Sequence, residues 1–145
     1  GIVLCHRLQQ NYFMRLRLQS MANSRDKGAS FERKICSLIK DSLGYEAKRN
    51  LDQYQVGGAD IEIPGWSIEC KAYQKSGSNS YKESWWQQTI SNCGNKEPVL
   101  IYKYNNCPIK CVLRLNVFEH NFSGAKDLVC EVDIDTWFFI VREKI

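Results

Sequence analysis

The stretch Gly57-Gly58-Ala59-Asp60-Ile61-Glu62-Ile63-Pro64-Gly65-Trp66-Ser67-Ile68-Glu69-Cys70-Lys71 constrains this chain more than any other. Pro-Gly at its centre is a turn signal, and apolar and polar residues alternate on either side, so it reads as two short strands joined in a hairpin. Ala59, Ile61 and Ile63 share one face with Ile68, Cys70 and Ala72, while Asp60, Glu62, Glu69 and Lys71 share the other. A turn centred on Pro64 and Gly65 pairs Ile63 with Trp66, Glu62 with Ser67 and Ile61 with Ile68, which sets Asp60 opposite Glu69.

Directly opposed residues have Cβ atoms about 4.5–5.5 Å apart, and like charges placed there destabilise the pair. A hairpin that only had to be stable would not oppose two carboxylates. A divalent cation removes the penalty, and oxygen-only ligands favour a hard ion such as Mg²⁺, which takes one or two carboxylates and keeps several waters. The plainer reading is a solvated face whose acids pair with lysines.

Asp60 followed after a short hairpin by Glu69-Cys70-Lys71 resembles the Asp…(Asp/Glu)-x-Lys signature of the PD-(D/E)XK nuclease superfamily. Gly28-Ala29-Ser30-Phe31-Glu32-Arg33 upstream, Gly57-Gly58, the Pro-Gly-Trp turn and Trp85-Trp86-Gln87-Gln88 downstream are similar to small phage and bacterial Holliday-junction-resolvase-like members. The likeness covers roughly residues 24–115. It implies an α/β fold with a restriction-endonuclease-like core, a mixed β-sheet flanked by helices in the order αβββαβ. It also implies a Mg²⁺-dependent endonuclease, with Mn²⁺ substituting, acting on DNA that is branched or a four-way junction, as a homodimer in the cytoplasm of a bacterium or an infected host.

The roles follow from the same resemblance. Asp60 and Glu69, helped by the Cys70 carbonyl, hold the metal; Lys71 positions or helps deprotonate the attacking water; Glu32 orients that water or a second ion. A polar residue on the second helix lies near the site in this family, so Gln88 is the candidate and Gln87 its rival. A restriction- or repair-type nicking enzyme would carry the same residues. The reading from a different class is a non-catalytic nucleic-acid-binding module on the same fold, which the intact acid and lysine set argues against. A purely structural domain leaves the opposed carboxylates unexplained.

Composition is permissive. A chain of 145 residues with 43% hydrophobic content makes one ordinary domain, and a net charge of +4 is compatible with a polyanionic partner. No apolar run is long enough to span a membrane. Seven cysteines, an odd number without a secretory signal, point to free thiols in a reducing compartment. Cys107, Cys111 and His120 are too few and too loosely spaced for a structural zinc site. Cys36, Cys70 and Cys93 fall on expected buried faces.

Residues 1–20 differ from the rest: they hold Arg7, Arg15 and Arg17 but no acid, and Met21 looks like a natural start. An in-frame extension, a basic arm and a transit-like leader all fit; the first is preferred, with residues 21–145 as the nuclease domain. Phe31, Ile35, Leu38, Ile39 and Leu43 form a helical stripe over residues 25–43 that Gly44 stops, with Glu32 at its edge. Gly28 inside this helix suggests either close approach of a nucleic-acid backbone or tight packing.

Residues 45–51 read as a first strand with Lys48 and Arg49 at a basic end. A polar loop follows Tyr73, and its Lys75, with Lys82 beyond, is placed to touch phosphates. Ser80 to Glu83 matches a capping box opening a second helix. Trp86, Ile90 and Cys93 form its sheet-facing side, and the tryptophan pair reads as core more readily than as a base-stacking platform. Residues 98–104 and 109–115 read as a hairpin, 117–122 as a short helix and 128–132 as a strand. A final helix, capped by Asp135, carries Trp137, Phe138 and Val141 on its apolar side. Trp137 and Phe139 are candidate dimer-surface aromatics.

Overall fold

A computed structural model describes residues 2–52, 57–74, 77–118 and 128–144, with the side chains of residues 2–4 and 19–23 outside the description. Helix α1 spans Ile2–Leu43; strands β1 (Ile61–Ile63) and β2 (Trp66–Tyr73) form the hairpin; α2 is Glu83–Ser91. Strands β3 (Glu97–Tyr104) and β4 (Lys110–Arg114) lead through a 3₁₀ turn at Leu115–Val117 to β5 (Val129–Asp133) and α3 (Ile134–Glu143).

The five strands lie in sequence order in one mixed sheet. β2 and β3 are parallel and the other neighbours antiparallel. Parallel neighbours cannot be joined by a tight turn, so α2 makes the crossover and is laid across the sheet beside β2. The hairpin register is the one its alternation demands: Ile61 opposite Ile68, Glu62 opposite Ser67, Ile63 opposite Trp66. Gly65 has φ +81°, the left-handed conformation a Pro-Gly turn needs at its second central residue.

Period-two alternation divides the core between the two faces. Ile61, Ile63, Ile68, Cys70, Val99, Ile101 and Leu113 face Phe31, Ile35 and Ile39 of α1 and Trp137, Phe138 and Val141 of α3. Trp66 meets Trp137 edge-on at 5.7 Å. The other face buries Leu100, Tyr102, Tyr104 and Val112 under Trp85 and Trp86 of α2, so the tryptophan pair is core.

Several expectations need correction. Residues 45–51 form no strand: Arg49 makes a single bridge to Ile61, because the Asn50 amide donates to the carbonyls of Gly57 and Ala59, 3.1 Å each, and turns the chain away after one pair. The order is therefore αββαβββα, still a mixed sheet flanked by helices. α1 begins well upstream of residue 25, and residues 5–18 are exposed along its length. Its end is as expected, with Gly44 at φ +79° donating to the Lys40 carbonyl at 3.0 Å.

The capping box at Ser80 does not form: α2 starts after Lys82 with no side-chain cap, and the Ser80 carbonyl accepts from the Tyr104 hydroxyl at 2.7 Å. The cap of α3 is Asp133, accepting from Thr136 N–H at 2.7 Å, with Asp135 in the first turn. Trp137 is fully buried, which removes it as a dimer-surface residue, whereas Phe139 is 57% exposed. Cys36 is only partly buried, unlike Cys70 and Cys93. A Cβ at Gly28 would meet no atom within 4 Å, so tight packing does not explain that glycine. Of the short helix expected over residues 117–122, residues 119–122 lie outside the described residues, as do Lys75 and His120. No helix among the described residues is long and apolar enough to cross a membrane.

Candidate active site

The two hairpin acids are brought together and buried. Asp60, just before β1, is 7% exposed and Glu69, in mid-β2, is 0% exposed. Asp60 Oδ2 accepts the Cys70 backbone N–H at 2.8 Å, and its own carbonyl accepts Asn50 N–H at 2.8 Å. Glu69 Oε1 accepts from Asn92 Nδ2 at 2.9 Å, while its Oε2 is buried. Burial first, and then the charge of Asp60, pushes the Glu69 carboxyl up to about 8, against the opposing pull of Asn92 and Lys71.

Lys71 follows on the same face of β2, and its Nζ donates to Gln88 Oε1 at 2.8 Å. The rival glutamine is spoken for within its own helix: Gln87 Nε2 donates to Glu83 Oε1 at 2.9 Å. Glu69, Lys71 and Tyr73, two apart on the strand, meet the α2 C-cap Asn92 and, within the helix, Gln88 and Trp85, which are four and three apart and run the opposite way. Strand period two and helix period 3.6 thus come into step over three contacts. Asn92 is the site residue that the hairpin alone does not announce; its sign in the sequence is the Trp85-x-x-Gln88-x-x-x-Asn92 spacing.

Glu32 comes from α1, on the opposite side of the sheet from α2, and its side chain is 19% exposed. Its Oε2 pairs with Arg49 Nε at 2.7 Å. Arg49 is thereby the partner of Glu32 rather than a spare cation for phosphate. The Cys70 thiol, pushed up by burial and then by Asp60, Glu32 and Glu69 in that order, lies within the field of all three carboxylates. Among the described residues no group of three or more His, Cys, Asp or Glu side chains is close enough to hold one ion. Lys48 and Lys82 are exposed, Lys82 with its Nζ 5.7 Å from the Trp85 ring centre.

A parallel β2–α2–β3 unit with an acid-bearing hairpin at its edge, a second acid and a lysine two residues apart on β2, and a helix that holds both, defines the PD-(D/E)XK class of nuclease folds. Residues 23–131 match the family described as Phage putative PDDEXK endonuclease. This is well over half of the chain, and the protein belongs to that family. No curated protein and no solved structure matches it.

The Lys71 contact yields a prediction. Gln88→Ala frees the ammonium and is expected to lower nucleolytic turnover about tenfold, the usual scale for loss of an orienting partner. Gln87→Ala, which removes only a pair on the exposed side of α2, is expected to leave it unchanged. Steady-state cleavage of a labelled DNA by the two variants checks this, and equal effects would move Gln88 out of the site.

Proposed function

We propose that the protein is a Mg²⁺-dependent endonuclease that hydrolyses DNA phosphodiester bonds at branched DNA. The observation that carries the reading is the buried Asp60 and Glu69 pair, close enough that the charge of Asp60 raises the Glu69 carboxyl, beside a lysine held by Gln88. Two carboxylates buried side by side are costly to ionise together, and a cation there removes the cost. The donor set fits a hard divalent ion: Asp60, Glu69 and the Cys70 carbonyl are all oxygen ligands, which suit Mg²⁺ and allow Mn²⁺.

A divalent ion supplies, when bound, a strong nucleophile at neutral pH and positive charge for the attacking and leaving oxygens. The chain's own residues do the rest. Lys71 Nζ, positioned by Gln88, orients the attacking water and sets positive charge against the charge that develops on the phosphate. Asn92 fixes the Glu69 carboxylate, and the Cys70 N–H fixes that of Asp60. Glu32, steadied by Arg49, orients the water from the α1 side. Exposed Lys48 and Lys82 serve the DNA backbone, where lysines position without reading sequence.

Resolving a four-way junction takes two symmetric nicks, so the working unit is a homodimer, with exposed Phe139 on its candidate surface. The nuclease unit is residues 21–145, the exposed first half of α1 being dispensable to it. The test compares cleavage of four-way junctions, linear duplexes and single strands in Mg²⁺. Paired nicks across the junction, with intact duplex cut at least about tenfold more slowly, are expected. Equal rates on all three would remove the branched-DNA assignment alone, and no cleavage of any would remove the nuclease.

A further inference from the structure

The face of β2 that carries Glu69 and Lys71 continues to Tyr73, and nothing in the proposed chemistry uses that residue. Tyr73 is 45% exposed, although its ring stacks on Trp85 with centroids 5.0 Å apart and planes at 17°. Trp85 is itself 7% exposed and wedged against Tyr102 and Tyr104, at 6.1 and 6.0 Å. One ring face of Tyr73 is therefore clamped against the core. A lone exposed tyrosine means little; one braced flat from behind is a rigid platform. A cavity of about 160 Å³ opens here, with Ser80, Tyr81 and Lys82 on its rim, and the Lys82 ammonium sits beside it.

The location identifies the occupant. Two residues along a strand cover about 6.7 Å, so Tyr73 lies within the reach of a neighbouring nucleotide from Lys71. A ring face with a cation beside it matches a nucleobase and its phosphate, and aromatic stacking of this kind is tolerant of sequence. In intact duplex each base face is covered by its neighbours, so the platform receives a base only where pairing and stacking are broken.

We infer that Tyr73, backed by Trp85 and flanked by Lys82, is a stacking platform for an unpaired base of the DNA close to the bond that is cut. It selects strands that are open beside the scissile phosphate. The inference rests on the nuclease reading for where the cut falls, but its test does not depend on cleavage.

The 145-residue chain carrying Asp60→Asn, in EDTA, is titrated with a single-stranded oligonucleotide containing 2-aminopurine and with a fully paired duplex of the same sequence. Adding Tyr73→Ala is expected to weaken single-strand binding about 5- to 150-fold, the range for losing one base–aromatic stack, and to abolish the quenching of 2-aminopurine. Tyr73→Phe keeps both, and duplex affinity stays within about twofold in every variant. If Tyr73→Ala simply disturbs α2, duplex binding falls in parallel, and the platform is overturned. It is equally overturned if single-strand binding is unchanged or if Tyr73→Phe is as damaging as alanine. Mg²⁺ cleavage by the parent chain judges the nuclease separately: platform effects without cleavage would leave a single-strand-binding surface, and cleavage without platform effects would leave the nuclease.

Discussion

Lys71→Ala is expected to reduce the Mg²⁺-dependent cleavage rate by about 10²–10³-fold, the cost of removing one preorganised charge from the transition state of a hydrolysis. Asp60→Asn should cost at least as much, since several kcal/mol of metal-derived stabilisation corresponds to about 10³-fold. Both variants keep the fold for stated reasons. Lys71 is only partly buried, and its partner Gln88 is exposed, so alanine strands no buried group. Asparagine at position 60 retains an oxygen to accept the Cys70 N–H. DNA affinity should stay within a few fold, because phosphate contacts dominate it and the proposed ones, Lys48 and Lys82, are unchanged in both variants. Single-turnover cleavage and fluorescence anisotropy on the same preparations separate the two effects. Full activity in either variant, with host nucleases excluded, would remove the assignment.

The opposed placing of Asp60 and Glu69 was legible in the sequence because a hairpin with a defined turn has little freedom. A slip of one residue would turn Ile61, Ile63 and Ile68 to the acid-bearing face, so alternation and Pro-Gly together specify the register. Asp60 and Glu69 then follow from position alone. The choice between Gln88 and Gln87 did not follow, because both sit on one short helix and the decision lies in how it rotates on the sheet. That rotation is set by Trp85 and Trp86, both buried against β3, a tertiary fact with no local trace.

Asn92 escaped notice for a related reason. It stands just past the last turn of α2, as a C-cap whose N–H bonds to the Gln88 carbonyl, where an asparagine needs no further explanation. The segment at residues 45–51 misled in the opposite sense: its local preference for strand is overridden by the Asn50 side chain, which takes two backbone carbonyls from the next loop. At the start of α3, Asp133 and Asp135 are both competent caps, and only the end of β5 decides between them.

Glu69→Gln should produce changes of opposite sign in stability and activity. In the metal-free protein the Glu69 carboxyl is raised from its ordinary value of 4.5 to about 8, chiefly by burial. Below 4.5 it is protonated in the folded and unfolded chains alike, and its contribution to stability is whole. Between 4.5 and 8 the unfolded chain releases the proton while the folded chain retains it, so stability falls as pH rises, and above about 8 the loss is complete. With Asp60 sharing the site, the total is on the order of 2–4 kcal/mol. Glutamine carries no such proton and fits the same space. Metal-free Glu69→Gln should therefore lose less stability than the parent between pH 5 and 9 and be the more stable form at pH 9, while showing no Mg²⁺-dependent cleavage. In the parent chain, Mg²⁺ should recover much of the alkaline loss, because binding to the folded state alone adds stability in proportion to the logarithm of ion concentration. Urea titrations at pH 5, 7 and 9, with and without Mg²⁺, check every part of this. A parent chain whose stability does not change with pH, or a Glu69→Gln chain that Mg²⁺ stabilises as strongly as the parent, would show that the buried carboxylate is not where the ion binds.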